Sequence, residues 1–163
     1  MARTITPAPV RKSVRVNAPP DRAFAAFTAG MGRWWPKSHH IGAAALETMC
    51  IEPFEGGRWF ERGTDGTECD VGRVLVWDPP SRLVLAWQLN ADWTFDPDLV
   101  TEVELRFVPD GVTATLVELE HRNLERFGER AEQVLRQIDS PNGWDRLLAL
   151  FAQFAPTEED RDG

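Results

Sequence analysis

The chain has 163 residues, 42% of them hydrophobic and 27% charged, with a formal net charge of −8. That length suits one domain able to bury a real core, and the composition is ordinary for a globular protein. The acidic balance argues against nucleic acid or an anionic membrane surface as the main partner.

Residues 1–11 read as a flexible arm, 12–156 as a single domain and 157–163 as an acidic, disordered tail. The first strand is expected over 12–17, where Val14 and Val16 alternate with Arg15. Pro19 and Pro20 then open a short helix to about Ala29, with Ala23, Phe24 and Phe27 on its apolar face. Gly30 and Gly32 end it, and residues 33–42 (RWWPKSHHIG) form an irregular aromatic segment with room for one helical turn.

Five strands in hairpin succession follow, over about 46–53, 58–62, 68–77, 83–90 and 102–107. Their turns carry Gly56-Gly57, Asp65-Gly66 and Pro79-Pro80. The fifth strand of the chain alternates most clearly, with Leu83, Leu85, Trp87 and Leu89 on one face. The sixth sets Val103, Leu105 and Phe107 against a polar face of Glu102, Glu104 and Arg106. After the Pro109-Asp110-Gly111 turn, a seventh strand over 112–121 points Val117, Leu119 and His121 inward.

A helix is expected over 124–138, from Leu124, Phe127, Ala131, Val134 and Ile138 at helical spacing. A last helix is expected over 140–155, capped by Ser140 and led by Pro141. Its apolar stripe is Trp144, Leu147, Leu148, Phe151, Phe154 and Ala155. Strands bunched together with helices at the ends predict an α+β fold, a curved antiparallel sheet covered on one face. A sheet closing round one amphipathic helix leaves room for a cavity.

No apolar run in the chain reaches the roughly 20 residues of a membrane span, and residues 1–9 hold none of signal-peptide length. Cys50 and Cys69 have neither CxxC pairing nor a matching histidine spacing. Two reduced thiols in a soluble, cytoplasmic protein are therefore expected.

Several stretches taken together carry a family resemblance. They are Val16-Asn17-Ala18-Pro19-Pro20-Asp21, Trp34-Trp35-Pro36, and Gly56-Gly57-Arg58-Trp59-Phe60-Glu61-Arg62 with Asp65-Gly66. Gly72-x-Val74, Trp77-Asp78-Pro79-Pro80-Ser81-Arg82-Leu83 with Trp87, Glu120-His121-Arg122 and Gly143-Trp144 complete the set. In order and spacing, over residues 12–155, the chain resembles the SRPBCC proteins related to the activator of Hsp90 ATPase, in the START-like (Bet v 1-like) helix-grip superfamily. The resemblance implies a seven-stranded sheet gripping a long C-terminal helix around a largely apolar internal cavity. It does not imply one activity: relatives bind lipids, hormones or polyketides, some transform them, and one branch stimulates a chaperone ATPase.

The ligand-lining candidates are Trp34, Trp35, His39, Trp59, Trp87, Trp93, His121, Trp144, Leu148 and Phe151, with Trp34 and Trp93 at the entrance. Of the adjacent pair His39 and His40, one ring is expected at the cavity mouth and the other in water. Neighbouring histidines cannot share one metal, so no metal or other cofactor is expected. Glu61 and His121 are the candidate acid and base. Two readings of the third strand stand side by side: Glu61 inward with a raised pKa, or Phe60 inward and Glu61 out. GxSxG, P-loop, GxGxxG and HExxH patterns are absent from the sequence. The favoured function is binding of a small apolar or aromatic molecule without catalysis. The alternatives are a cavity enzyme using Glu61 and His121, or a chaperone-activator-like interaction module; a homodimer stays open.

Overall fold

The computed structural model describes residues 7–156. Residues 1–6 of the expected arm and the whole of the expected tail, 157–163, lie outside that range. Seven strands form one antiparallel sheet: β1 (Val10–Val16), β2 (Leu46–Ile51), β3 (Arg58–Gly63), β4 (Glu68–Asp78), β5 (Arg82–Trp87), β6 (Thr101–Pro109) and β7 (Thr115–Arg122). Their order across the sheet is β1-β7-β6-β5-β4-β3-β2, a run of hairpins with the first strand closing on the last. The sheet curls into a half-barrel with helices on its concave side.

Those helices are α1 (Pro20–Thr28), α2 (Met31–Trp34), α3 (Ala131–Ile138) and α4 (Trp144–Phe154). Pro20 opens α1, where a missing N–H costs nothing, and Ala23, Phe24 and Phe27 are buried as expected. The α4 helix packs against β1, α1 and α2. Its Phe151 meets Phe27 edge to face at 5.2 Å and Trp34 at 5.6 Å. This aromatic knot holds the helix in the grip of the sheet.

Several boundaries differ from expectation, four of them for a clear local reason. β1 starts at Val10 because the ladder with β7 continues to a Val10–His121 pair, so the arm ends sooner than 11. β7 starts at Thr115 because Gly111, at φ +78°, carries the turn and leaves Val112 on the surface. The expected helix over 124–138 is two pieces, a 3-10 stretch (Leu124–Arg130) broken by Gly128 at φ +64°, and then α3. The last helix starts at Trp144, not 140, because the Ser140 hydroxyl donates back to Gln137 O at 2.7 Å instead of capping forward.

The outer face of the sheet also departs from the simple alternation. Val84 and Ala86, which alternate with the inward Leu83, Leu85 and Trp87, are buried too. Glu104, expected to be solvated, is buried and accepts hydrogen bonds from Arg82 at 2.6 Å, Arg106 at 3.1 Å and Arg122 at 2.5 Å. Burial pushes the Glu104 carboxyl up, but hydrogen bonds from Arg82, Arg122 and Arg106 outweigh it and bring the pKa down to about 2. The long side chains roof the outer face with their stems, which is how apolar residues are buried there without a second layer.

Candidate ligand cavity

One transverse row of the sheet carries two indoles of a cavity floor, Trp59 and Trp87. Ile51, Trp59, Gly72, Trp87 and Thr101 are successive cross-strand partners, so their side chains share the concave face. Gly72 stands between two indoles, and a Cβ there would lie 3.1 Å from the Trp59 ring and 1.8 Å from Ala86 O. Without that Cβ, Trp59 and Trp87 meet at 5.7 Å. Trp35 packs on Trp59 at 6.2 Å, while Trp144 and Trp93 pack on Trp87 at 5.6 and 6.1 Å. All four pairs are edge to face, the arrangement indole quadrupoles favour.

The cavity these rings enclose is about 400 Å³. Val71, Leu89 and Met49 complete its apolar floor, and Ile138, Trp144 and Leu147 supply the helical side. The segment 36–45 and the turn between α3 and α4 form the rim. His39 bridges the two, with Nε2 at 2.9 Å from Asn142 O and Nδ1 at 2.9 Å from Ser38 Oγ. The Trp35 indole N–H donates to His39 O at 2.8 Å and braces the same loop. Trp93 stands at the mouth, 41% exposed and at φ +60°, a backbone conformation that costs a bulky residue energy.

Glu61 points inward. Phe60 is also buried, but on the outer face beneath Arg58, whose guanidinium carbon lies 4.1 Å from the ring centroid. The β3 strand thus buries both of its faces, which dissolves the choice between the two sequence readings. The Glu61 carboxylate accepts from the Ile41 N–H at 2.7 Å and the Gly42 N–H at 3.0 Å. It therefore pins segment 36–45 over the cavity while forming part of the wall. It is therefore not an unpaired carboxylate. Across the ladder, burial and then the Glu61 charge push the Cys69 thiol up, so it stays protonated at neutral pH. The indole N–H of Trp59 finds no acceptor among the described residues.

His121 points inward as its parity requires, but into the packed core rather than onto the cavity wall. Its Nδ1 accepts from the Trp144 indole N–H at 3.1 Å, and its Nε2 lies 2.8 Å from Thr101 Oγ1. An indole N–H only donates, so the ring carries its proton on Nε2 and donates it to Thr101. Burial drives its pKa down to about 3. The expected Glu61–His121 acid–base pair is therefore corrected: His121 is neutral, and both of its ring nitrogens are occupied.

Of the other lining candidates, Trp35, His39, Trp59, Trp87, Trp93 and Trp144 come together on the wall. Trp34, Leu148 and Phe151 do not. Trp34 donates its indole N–H to Ala26 O at 2.9 Å and packs on Phe27, so it is core and not entrance. Both His39 and His40 line the cavity, where one was expected to face water. Asn142 and Gln137 join the rim without having been singled out, and Ser140, expected only as a helix cap, joins it too. Their nearness to His39 is set by the α3–α4 turn, which leaves no mark in local sequence. Among the described residues no group of three or more His, Cys, Asp or Glu is placed to hold a metal ion, and no helix is long and apolar enough to cross a membrane.

The chain matches the family described as Activator of Hsp90 ATPase homolog 1-like protein over residues 17–155. Among solved structures it is similar to an anthrahydroquino-gamma-pyrone synthase, Txn09, with 40% identity, 91% of this chain and 97% of that one covered, and a TM-score of 0.65. It is also similar to CalC, a self-sacrificing resistance protein from Micromonospora echinospora, at 32% identity, coverage of 92% and 95%, and a TM-score of 0.69. CalU16 from the same organism is 26% identical, with 90% and 73% covered and a TM-score of 0.61. No curated protein matches the chain significantly.

Proposed function

This chain belongs to the Activator of Hsp90 ATPase homolog 1-like family, and from that premise we propose that its cavity binds a flat, polycyclic aromatic small molecule of the polyketide kind. The observation that carries the proposal is the wall itself: Trp35, Trp59, Trp87, Trp93 and Trp144 around about 400 Å³. That volume lies in the range of roughly 300–1,000 Å³ of small-molecule sites. Indole walls offer a planar ligand a large contact area with few rotatable bonds to freeze. The similarity to an anthrahydroquino-gamma-pyrone synthase supports the ligand class.

The test is a titration with 2-hydroxyanthraquinone, read by tryptophan fluorescence and by native mass spectrometry. Saturable quenching with one bound molecule is expected. Leu147→Trp, which fills the cavity from α4, should weaken binding at least tenfold. Non-saturable quenching, equal in wild type and variant, would sink the proposal.

A second reading, catalysis within the cavity, is favoured by one specific observation: the Glu61 carboxylate on the wall of a chain 40% identical to a synthase. Glu61 would then serve as the base, without help from His121. Turnover of a phenolic polyketide that survives Glu61→Gln unchanged would dismiss that reading.

A further inference from the structure

Glu61 combines three properties seldom found together. It is buried, it stands on an aromatic wall, and among the described residues it pairs with no cation. Burying a carboxylate is unfavourable unless its lone pairs are satisfied. The two main-chain donors fill one position on each oxygen, and a carboxylate offers about four. The unfilled acceptor positions belong to a residue that forms part of the cavity wall beside Trp59, Val71, Trp87 and Leu147. The other polar side chains of the lining, on Ser38, His39, His40, Gln137, Ser140 and Asn142, sit at the rim.

We infer that Glu61 is the specificity-determining residue of the cavity and accepts a hydrogen bond from a phenolic hydroxyl of the bound aromatic molecule. This rests on the cavity-binding reading above and narrows its ligand class from aromatic to hydroxylated aromatic.

The competing partner for such a carboxylate is an ammonium group held in an aromatic cage. A cage needs open indole faces. In each of the pairs Trp35–Trp59, Trp59–Trp87, Trp87–Trp93 and Trp87–Trp144 the edge of one indole already covers a face of the other. That leaves fewer faces to converge on a cation, whereas a flat ligand needs only one. The two main-chain N–H groups also supply positive charge to the carboxylate from the protein side. A neutral hydroxyl completes the acceptor set without bringing in a cation that then needs faces to rest on.

The deciding experiment measures affinity by calorimetry for 2-hydroxyanthraquinone and its methyl ether, at a pH where the phenol keeps its proton. The ether keeps the rings and removes the donor. Wild-type protein should prefer the phenol by about ten- to a hundredfold, the range of a hydrogen bond to a charged group. In Glu61→Gln the ratio of phenol to ether affinity should shrink to within about threefold, a ratio that cancels any change in binding common to both probes.

Glutamine turns an amide toward one of the loop N–H groups, so Glu61→Asp serves as a second variant, with folding checked by near-ultraviolet circular dichroism. A third readout needs no variant. The carboxyl carbon resonance of Glu61 should move on titration with the phenol and stay in place with the ether. Equal affinity for phenol and ether in wild type overturns this inference and leaves the cavity reading standing. Failure of both probes to bind overturns the two together. Tighter binding of an aminomethyl analogue than of the phenol, or a phenol preference that persists in both folded variants, also overturns it.

Discussion

The proton on His121 has only one place to sit. Trp144 donates to Nδ1, Nε2–H donates to Thr101, and the Thr101 hydroxyl donates on to Trp87 O at 3.2 Å. A second proton would break the first link of this chain inside a dry core, which is why the pKa falls to about 3 from 6.5. The sign of the consequence follows from linkage. Below about pH 6.5 the unfolded chain takes up a proton that the folded chain refuses, so stability is full above that value and declines as pH falls, by about 1.4 kcal/mol per pH unit. Urea unfolding between about pH 7 and about pH 5 should show this slope in wild type and lose most of it in His121→Gln. Glu104 does not confound the window, since its carboxyl titrates from 4.5 unfolded down to about 2 folded. The same residue shows what could be read in advance: strand parity pointed His121 inward, but whether it met the cavity or the core depended on Trp144 and Thr101, which come from other elements.

At the scale of elements, the site depends on how closely β4 runs beside β5. Gly72 permits that approach, for an added Cβ would sit 1.8 Å from the Ala86 carbonyl oxygen and crowd the Trp59 ring as well. Gly72→Ala should therefore cost about 3 kcal/mol or more by forcing the two strands apart. Because Trp59 and Trp87 meet across this glycine, their near-ultraviolet dichroism should weaken along with the urea midpoint. A variant as stable as wild type would show that the strands part cheaply there. The helical elements show the limit of local rules. Ser140 and Pro141 have the chemistry of a helix start, yet the serine closes α3 and α4 begins after Gly143. Gly143 cannot be crowded either, as a Cβ would fall 2.3 Å from Ile138 O. Capping preferences are worth about 1 kcal/mol, less than the burial of Ile138 and Trp144 on either side of this turn, so packing decides.

For the whole molecule, the cavity of about 400 Å³ lies between the sheet and the helices. Any molecule that fills it in the folded chain alone must stabilise that chain by mass action. At a hundred times its Kd, 2-hydroxyanthraquinone should add about 2.7 kcal/mol, seen as a rise in Tm of about 5–10 °C. Leu147→Trp should blunt that rise. A ligand that binds without raising Tm would be held on the surface or bound equally well by the unfolded chain. The outer surface works differently. Arg82, Arg106 and Arg122 close over Glu104, and Arg58 lies on Phe60, so the convex face of the sheet is roofed by its own side chains.

The order of strands and helices, the covered face of the sheet and the apolar stripe of the last helix were legible in the chain alone. Each rests on periodicity: two residues per repeat in strands and 3.6 in helices decide which side chains share a face. The family, too, was legible, from turn residues at fixed spacing. Periodicity does not say which inward residue bounds empty space and which fills it. Trp34 and Trp93 looked alike in sequence, yet one became core by donating to Ala26 O and the other stands at the mouth. Phe60 and Glu61 were treated as rivals because an exposed outer face was assumed, and the arginine roof over that face removed the rivalry. The tertiary structure alone brought Ile41 and Gly42 onto Glu61, and His39 across to Asn142. Contacts between residues so far apart in the chain depend on how the sheet curls and where the α3–α4 turn falls, and no local pattern of side chains encodes either.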